Sequence, residues 1–214
     1  MPRSPQPKFV REVAKSLSKL QGKHFLLEHK HHDKELGLDL LDSTKACDYV
    51  EKIAHSVIRD QRKKSLTELQ IEPNGHNTFP DLRAIFSNGF KVDFEVKSSY
   101  SSSHPSWQGA SIKKFTEALL ERDPYYLNAW FVSFNLSKLE TSYRIDSIVV
   151  ARIWEFCPGH ARTGKGHRGL ATQSRGSASA EAFLKSYIAR EVELGRGDRF
   201  ELEAAAEDML QLIG

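Results

Sequence analysis

Between Phe9 and Leu20 the apolar residues Val10, Val13, Leu17 and Leu20 fall three to four positions apart, with Lys and Arg between them. That spacing predicts an amphipathic helix, ended at Gln21-Gly22. Asp42-Ser43 caps a second helix, from Thr44 to about Lys63, with Val50, Ile53, Ala54, Val57 and Ile58 on its buried stripe. The period then drops to two. Ser65 to Glu72 reads as a strand, and a polar loop follows from Pro73 to Thr78. Leu82 to Phe86 is a short strand, Ser87-Asn88-Gly89 a tight turn and Phe90 to Val96 a returning strand. After a Ser-rich loop, a helix starts near Gly109 to Ser111 and runs to Arg122, where Asp123-Pro124 breaks it. Ala129 to Leu136 and Arg144 to Phe156 read as buried strands, and Pro158 to Gly176 as a long Gly- and Arg-rich loop. Ser179 caps a helix from Ala180 to Leu194, and an amphipathic helix from Arg199 to Ile213 closes the pattern.

Composition changes this picture little. The 214 residues are enough for one domain with a substantial core, and 39% hydrophobic with 28% charged residues describes a soluble globular protein. No apolar run approaches membrane-spanning length, and the basic start, Met1 to Lys8, lacks the hydrophobic stretch of a signal peptide. Two distant cysteines, Cys47 and Cys157, imply reduced thiols and a cytoplasmic setting. The net charge of +3 permits a polyanionic partner without demanding one. Its distribution says more: Arg59 to Lys64 and Arg162 to Arg175 are basic, whereas Glu201 to Asp208 is acidic, as expected of a nucleic-acid face and a separate outer face. His24, His29, His31 and His32 lie within ten residues, but no Cys is near and the spacing fits no common zinc finger. A metal site and a solvated connector are the two readings of that stretch.

The chemistry concentrates in the hairpin. Alternation puts Val92, Phe94 and Val96 on one face and Asp93, Glu95 and Lys97 on the other. A hairpin that brings Asp81 beside Glu95 makes a two-carboxylate pocket for a hard divalent cation, with the Lys97 ammonium alongside. Such a pocket suits metal-assisted attack of water on a phosphodiester. The plainer reading is an edge hairpin with a solvated charged face. Against it, Lys97 runs on into Ser98-Ser99-Tyr100, whose hydroxyl groups can bind phosphate, instead of closing a surface turn.

Three blocks, in order, resemble the PD-(D/E)xK nucleases, and among them type II restriction endonucleases of the EcoRV type. They are Asn77-Thr-Phe-Pro-Asp81, Asp93-Phe-Glu-Val-Lys-Ser-Ser-Tyr-Ser101, and Ile153 through Gly169. A fainter match lies at Ala129 to Asn135, and together they span about Asp48 to Arg190, leaving both ends and the His cluster uncovered. The resemblance implies an α/β (α+β) restriction-endonuclease-like fold, a central mixed β-sheet flanked by helices. It implies one endonuclease domain over 1–214, with a catalytic core at about 44–156 and a DNA-reading loop and C-terminal helices in 157–214. It further implies Mg²⁺-dependent cleavage of duplex DNA (Mn²⁺ substituting), by a homodimer in a prokaryotic cytoplasm, with 5′-phosphate and blunt ends. Asp81 and Glu95 would hold the metal with the Val96 carbonyl, and Lys97 would orient or deprotonate the attacking water or stabilise the transition-state charge. The family's upstream helix-borne acid is matched in position by Glu51, which as a plain helix residue would pair with a neighbouring Lys or His. Glu95 stands where the EcoRV type has Asp; Asp93, on the same face, is the substitute ligand, ranked lower because Glu95 has the spacing to Lys97.

The resemblance also implies how DNA is gripped. Arg162, Thr163, Gly164, Lys165, Gly166, His167 and Arg168 match a major-groove reading loop, where glycines allow backbone close to base edges. Lys165, His167 and Arg168 replace neutral residues there, which points to a G·C-richer target, since Lys and Arg pair with guanine; the other reading is phosphate contact alone. Asn74, Gly75, His76 and Asn77 match a minor-groove loop, and Ser99, Tyr100 and Ser111 would meet the phosphate backbone. A companion DNA methyltransferase would protect host DNA. Two other readings of the same fold stand beside this one: a DNA-repair nickase, and a non-catalytic DNA-binding relative.

Overall fold

The alternation from Leu82 to Val96 folds into the middle of a sheet. The computed structural model describes residues 7–25, 32–33, 38–39, 43–64, 69–73, 79–100, 108–139, 142–159, 169–171 and 176–213. In chain order the elements begin α1 (Lys8–Ser18), β1 (His24–Phe25), β2 (His32–Asp33), β3 (Leu38–Asp39), α2 (Ser43–Lys64), β4 (Leu69–Pro73), β5 (Leu82–Phe86) and β6 (Lys91–Ser99). There follow β7 (Gln108–Ser111), α3 (Ile112–Leu120), α4 (Tyr125–Asn128), β8 (Trp130–Lys138) and β9 (Tyr143–Arg152). Last come α5 (Ile153–Phe156), β10 (Gly169–Ala171), α6 (Ala180–Glu193) and α7 (Arg199–Gln211).

Six strands form one mixed sheet in the order β1-β9-β8-β6-β5-β4. Within it only β6 and β8 run parallel; every other neighbouring pair is antiparallel. A parallel pair cannot be closed by a tight turn, so the chain leaves the sheet between them through β7, α3 and α4. Strand β8 is buried on both faces, which accounts for its apolar run from Trp130 to Phe134, interrupted only by Ser133.

Each face carries its own core. On one, Val92, Phe94 and Val96 meet Val10, Val13 and Leu17 of α1 and Ala46, Val50, Ala54 and Ile58 of α2. The α2 stripe repeats every four residues, as a helix laid along a sheet requires. The Gln61 side-chain amide donates to Ser16 Oγ at 2.9 Å and ties the two helices together. On the other face, Phe131 and Ala151 pack with Phe115 of α3, Tyr126 of α4, Phe183 and Tyr187 of α6, and Leu202 of α7. The result is a mixed sheet flanked by helices, as expected.

Several boundaries differ from the sequence reading. β6 continues past Val96 to Ser99 because β8 pairs alongside it as far as Asn135. Gly109 to Ser111 begins as strand, not helix, because β7 pairs with β10 inside the expected Gly- and Arg-rich loop. Ile153–Phe156 is a helical turn instead of the end of a strand, closed by Glu155, whose carboxylate accepts from the Arg152 N–H at 2.8 Å. The His-rich stretch contains a short β2–β3 ladder pairing His32 with Asp39. Among the described residues, no helix is long and apolar enough to cross a membrane.

Candidate active site

The turn between β5 and β6 is fixed by the chemistry its sequence announces. Gly89 adopts φ +80°, its N–H bonds Phe86 O at 2.8 Å, and Asn88 Oδ1 accepts from the Phe90 N–H at 3.0 Å. From there the two strands pair as far as Leu82 opposite Phe94. One step beyond, the backbone ladder gives way to side chains. The Asp81 N–H donates to Glu95 Oε2 at 3.2 Å, and the Val96 N–H donates to Asp81 Oδ2 at 2.6 Å. The sheet forks here, and each acid fastens the other's strand. A strand residue sends its N–H and C=O to the same side, so the Val96 carbonyl lies on the Asp81 side of β6.

Phe79 anchors the approach to Asp81. Its ring lies 4.5 Å from that of Tyr126 and 5.1 Å from that of Tyr125, and also meets Phe131. Glu95 shares its register position with Phe131 and so faces the α4 side of the sheet. It is only 5% exposed. The Lys97 ammonium, on the same face, donates to Glu95 Oε1 in a short charge-assisted bond. Burial pushes the Glu95 carboxyl up to about 7; Lys97 pulls it down and the charge of Asp81 pushes it up again. Two crowded carboxylates, one of them desolvated, are a place where a divalent cation relieves repulsion.

The oxygens here, two carboxylates and a carbonyl, fit a hard cation that fills its remaining positions with water and phosphate oxygens, as Mg²⁺ does. Among the described residues no group of three or more His, Cys, Asp or Glu side chains converges as a ready-made metal cage. Oxygen donors of this kind suit a nitrogen- or sulfur-preferring structural metal poorly.

Asp93 is otherwise engaged. Its two oxygens accept from Arg83 Nε at 2.6 Å and from an Arg83 terminal nitrogen at 2.9 Å. That bidentate pair removes Asp93 from competition with Glu95 as a ligand. Glu51 lies on α2 with its side chain 44% exposed, its Oε1 3.9 Å from Nε2 of His55 one turn on. Ser99 is buried and its hydroxyl donates to Asn135 Oδ1 at 2.9 Å, which directs that group inward. Tyr100 is 41% exposed beside Tyr143. Ser111 ends β7 and is the N-cap of α3. Asn74, Gly75, His76 and Asn77, and the segment from Arg162 through Thr163, Gly164, Lys165, Gly166 and His167 to Arg168, lie outside the described residues.

The described flanks of that second segment are firmly held. Gly159 has φ +90°, and a Cβ there would stand 2.1 Å from the Phe183 carbonyl oxygen of α6. On the other side Gly169 pairs with Ser111. Sequence reasoning missed Tyr126 and His55. Tyr126 is buried close enough to Glu95 for that carboxylate to raise its pKa, after burial. The only signal for it was the aromatic pair after Asp123-Pro124.

No protein-family model matches the sequence, and no curated protein does. Among solved structures, the fold matches that of NlaIV restriction endonuclease with a TM-score of 0.70, over 94% of this chain and 87% of that one. The sequences are 12% identical across that match, so the likeness is one of fold.

Proposed function

We propose that this protein is a type II restriction endonuclease of the PD-(D/E)xK kind, which hydrolyses phosphodiester bonds in duplex DNA with Mg²⁺. The observation that carries the reading is the interlock of Asp81, Glu95 and Lys97 at the fork of the sheet. A fold shared with a restriction endonuclease supports it. Asp81 and Glu95 would hold the cation through carboxylate oxygens, with the Val96 carbonyl beside them. When bound, the cation polarises the scissile phosphate and lowers the pKa of a water.

Glu95 would hold the cation in its ionised form, beside the Lys97 ammonium it now accepts from. The Lys97 ammonium would hold the attacking water and face the negative charge that gathers on the phosphate oxygens. The water oxygen bonds to phosphorus, the bond to the 3′ oxygen breaks, and the water's proton leaves to the 3′ oxygen or to solvent. The products carry 5′-phosphates. A homodimer would present two such sites to a self-complementary target, and a partner methyltransferase would mark the host's own copies.

The test is cleavage of a mixed-sequence plasmid with Mg²⁺, beside Lys97→Ala and an EDTA control. Discrete fragments, lost in both controls, are the expected result, with Lys97→Ala slower by at least about 10²-fold. Nicked circles without linear product would replace the reading by a single-strand nickase. No cutting with Mg²⁺ or Mn²⁺ would leave a non-catalytic DNA-binding protein.

A further inference from the structure

Glu51, His55 and Arg59 follow one another at four-residue spacing along a flank of α2, the helix that packs against β6. Glu51 carries the match to the expected helix-borne acid, yet His55 is the more unusual residue. Its Nε2 is buried and makes no hydrogen bond among the described residues. Glu51 Oε1, at 3.9 Å, is too far to accept one. Buried polar atoms are almost always partnered, and an exception calls for a reason.

Its charged neighbours act on the ring from both sides. Burial lowers the His55 pKa, so the imidazole is neutral near neutral pH; Asp81 raises it and Arg59 lowers it further. Among acids it is Asp81, across the fork, whose charge acts on His55. Glu51, one turn away at 3.9 Å, has its side chain 44% exposed. His55, with a buried Nε2 on the helix packed against β6, is thus within electrostatic reach of Asp81, while Glu51 beside it is the more exposed of the two.

We propose that His55 is the residue of α2 that serves this site. Its Nε2 hydrogen-bonds an oxygen held at Asp81 in the coordination shell of the divalent cation, either a bound water or a phosphate oxygen of the DNA. This rests on the nuclease reading above and deepens it. The role is that of a positioning residue: it fixes an oxygen that Asp81 and the cation share. Partners of this outer kind commonly change metal affinity by about 10–100-fold when removed.

The experiment uses the full chain and two titrations. Mn²⁺ alone is followed by its electron spin resonance signal, and a duplex oligonucleotide is titrated in Ca²⁺. The variants are His55→Leu, His55→Gln, Glu51→Gln and Asp81→Asn, with melting curves taken free of metal. Expected is a loss of about tenfold for His55→Leu, restored in large part by His55→Gln, with Glu51→Gln close to wild type. A loss already present with Mn²⁺ alone identifies a bound water as the acceptor; a loss seen only with DNA identifies a phosphate oxygen. Metal-free His55→Leu should melt no lower than wild type, since it removes an unpartnered buried nitrogen, whereas a merely structural histidine would lower the melt. Unchanged titrations for a folded His55→Leu, or a loss in Glu51→Gln instead, would overturn the proposal. Wild-type binding that Asp81→Asn leaves intact would overturn the nuclease pocket itself, and the His55 role with it.

Discussion

Glu95 is the residue on which most of the site's behaviour turns. Its folded-state value of about 7 stands above the ordinary 4.5, so between those values the native state holds a proton that the unfolded chain has released. Stability from this group is therefore full below about 4.5 and lost as pH rises through 7. Glu95→Gln should make the metal-free protein more stable at pH 8 by on the order of 1–3 kcal/mol and flatten its melting profile across that window. Metal binding runs the other way. Protons compete for Glu95, so Mn²⁺ affinity should fall roughly tenfold per pH unit below about 7 and level off above it, as calorimetry at several pH values would reveal. A flat profile would count against Glu95 as a ligand. Its neighbour Asp93 offers the contrast. Because Arg83 already occupies both its oxygens, Asp93→Asn should leave Mn²⁺ affinity within about threefold of wild type, while Asp81→Asn should abolish binding.

At the scale of elements, the least expected piece is α4. Four residues long, it lays Tyr126 near Glu95 and so supplies part of the burial that raises that carboxyl. A helix this short does not hold itself, because nucleation costs more than one turn returns. Arg152, at the end of β9, holds it: its guanidinium donates to the Asn128 carbonyl and lies 4.1 Å from the centre of the Trp130 ring. Burial lowers the Arg152 pKa to about 10, a cost the carbonyl bond and the aromatic face offset. Arg152→Ala should destabilise the fold by about 2–4 kcal/mol in urea, through lost packing and a lost buried hydrogen bond. With α4 loosened, the Glu95 titration should also move down toward the ordinary carboxylate range, which NMR of a labelled side chain would detect. In sequence, Tyr125 to Asn128 follows a Pro break and looks like a connector; contacts distant in sequence, with Phe79 and with Arg152, make it a helix over the site.

For the whole molecule, the two cores on either side of the mixed sheet make a rigid platform, and the site sits where two of its strands part company. That placement suits a substrate that is itself large and rigid. The nuclease reading requires two copies for a self-complementary duplex, so sedimentation should report a dimer, at least when the cognate duplex is present. Duplex affinity in Ca²⁺ should fall steeply with salt, because phosphate contacts release counterions. A species that stays monomeric while bound to DNA, and nicks it, would favour the repair-type reading of the same fold.

The chain's own pattern determined the elements that depend on near neighbours. Helical spacing gave α1, α2, α6 and α7 to within a few residues, and Asn88-Gly89 gave the turn that sets the register of β5 against β6. That register places Asp81 next to Glu95, and alternation puts Lys97 on the same face, so the heart of the site is legible in the residues alone. What rests on contacts distant in sequence is not. The pairing of β7 with β10, the parallel run of β6 beside β8, the helix α4 over Glu95 and the packing of α2 on β6 each join segments that carry no mutual signal. The same holds for the titration of Glu95. Its carboxyl is in the sequence, but its pKa comes from desolvation, and desolvation exists only once Phe131, Tyr126 and the sheet have closed around it.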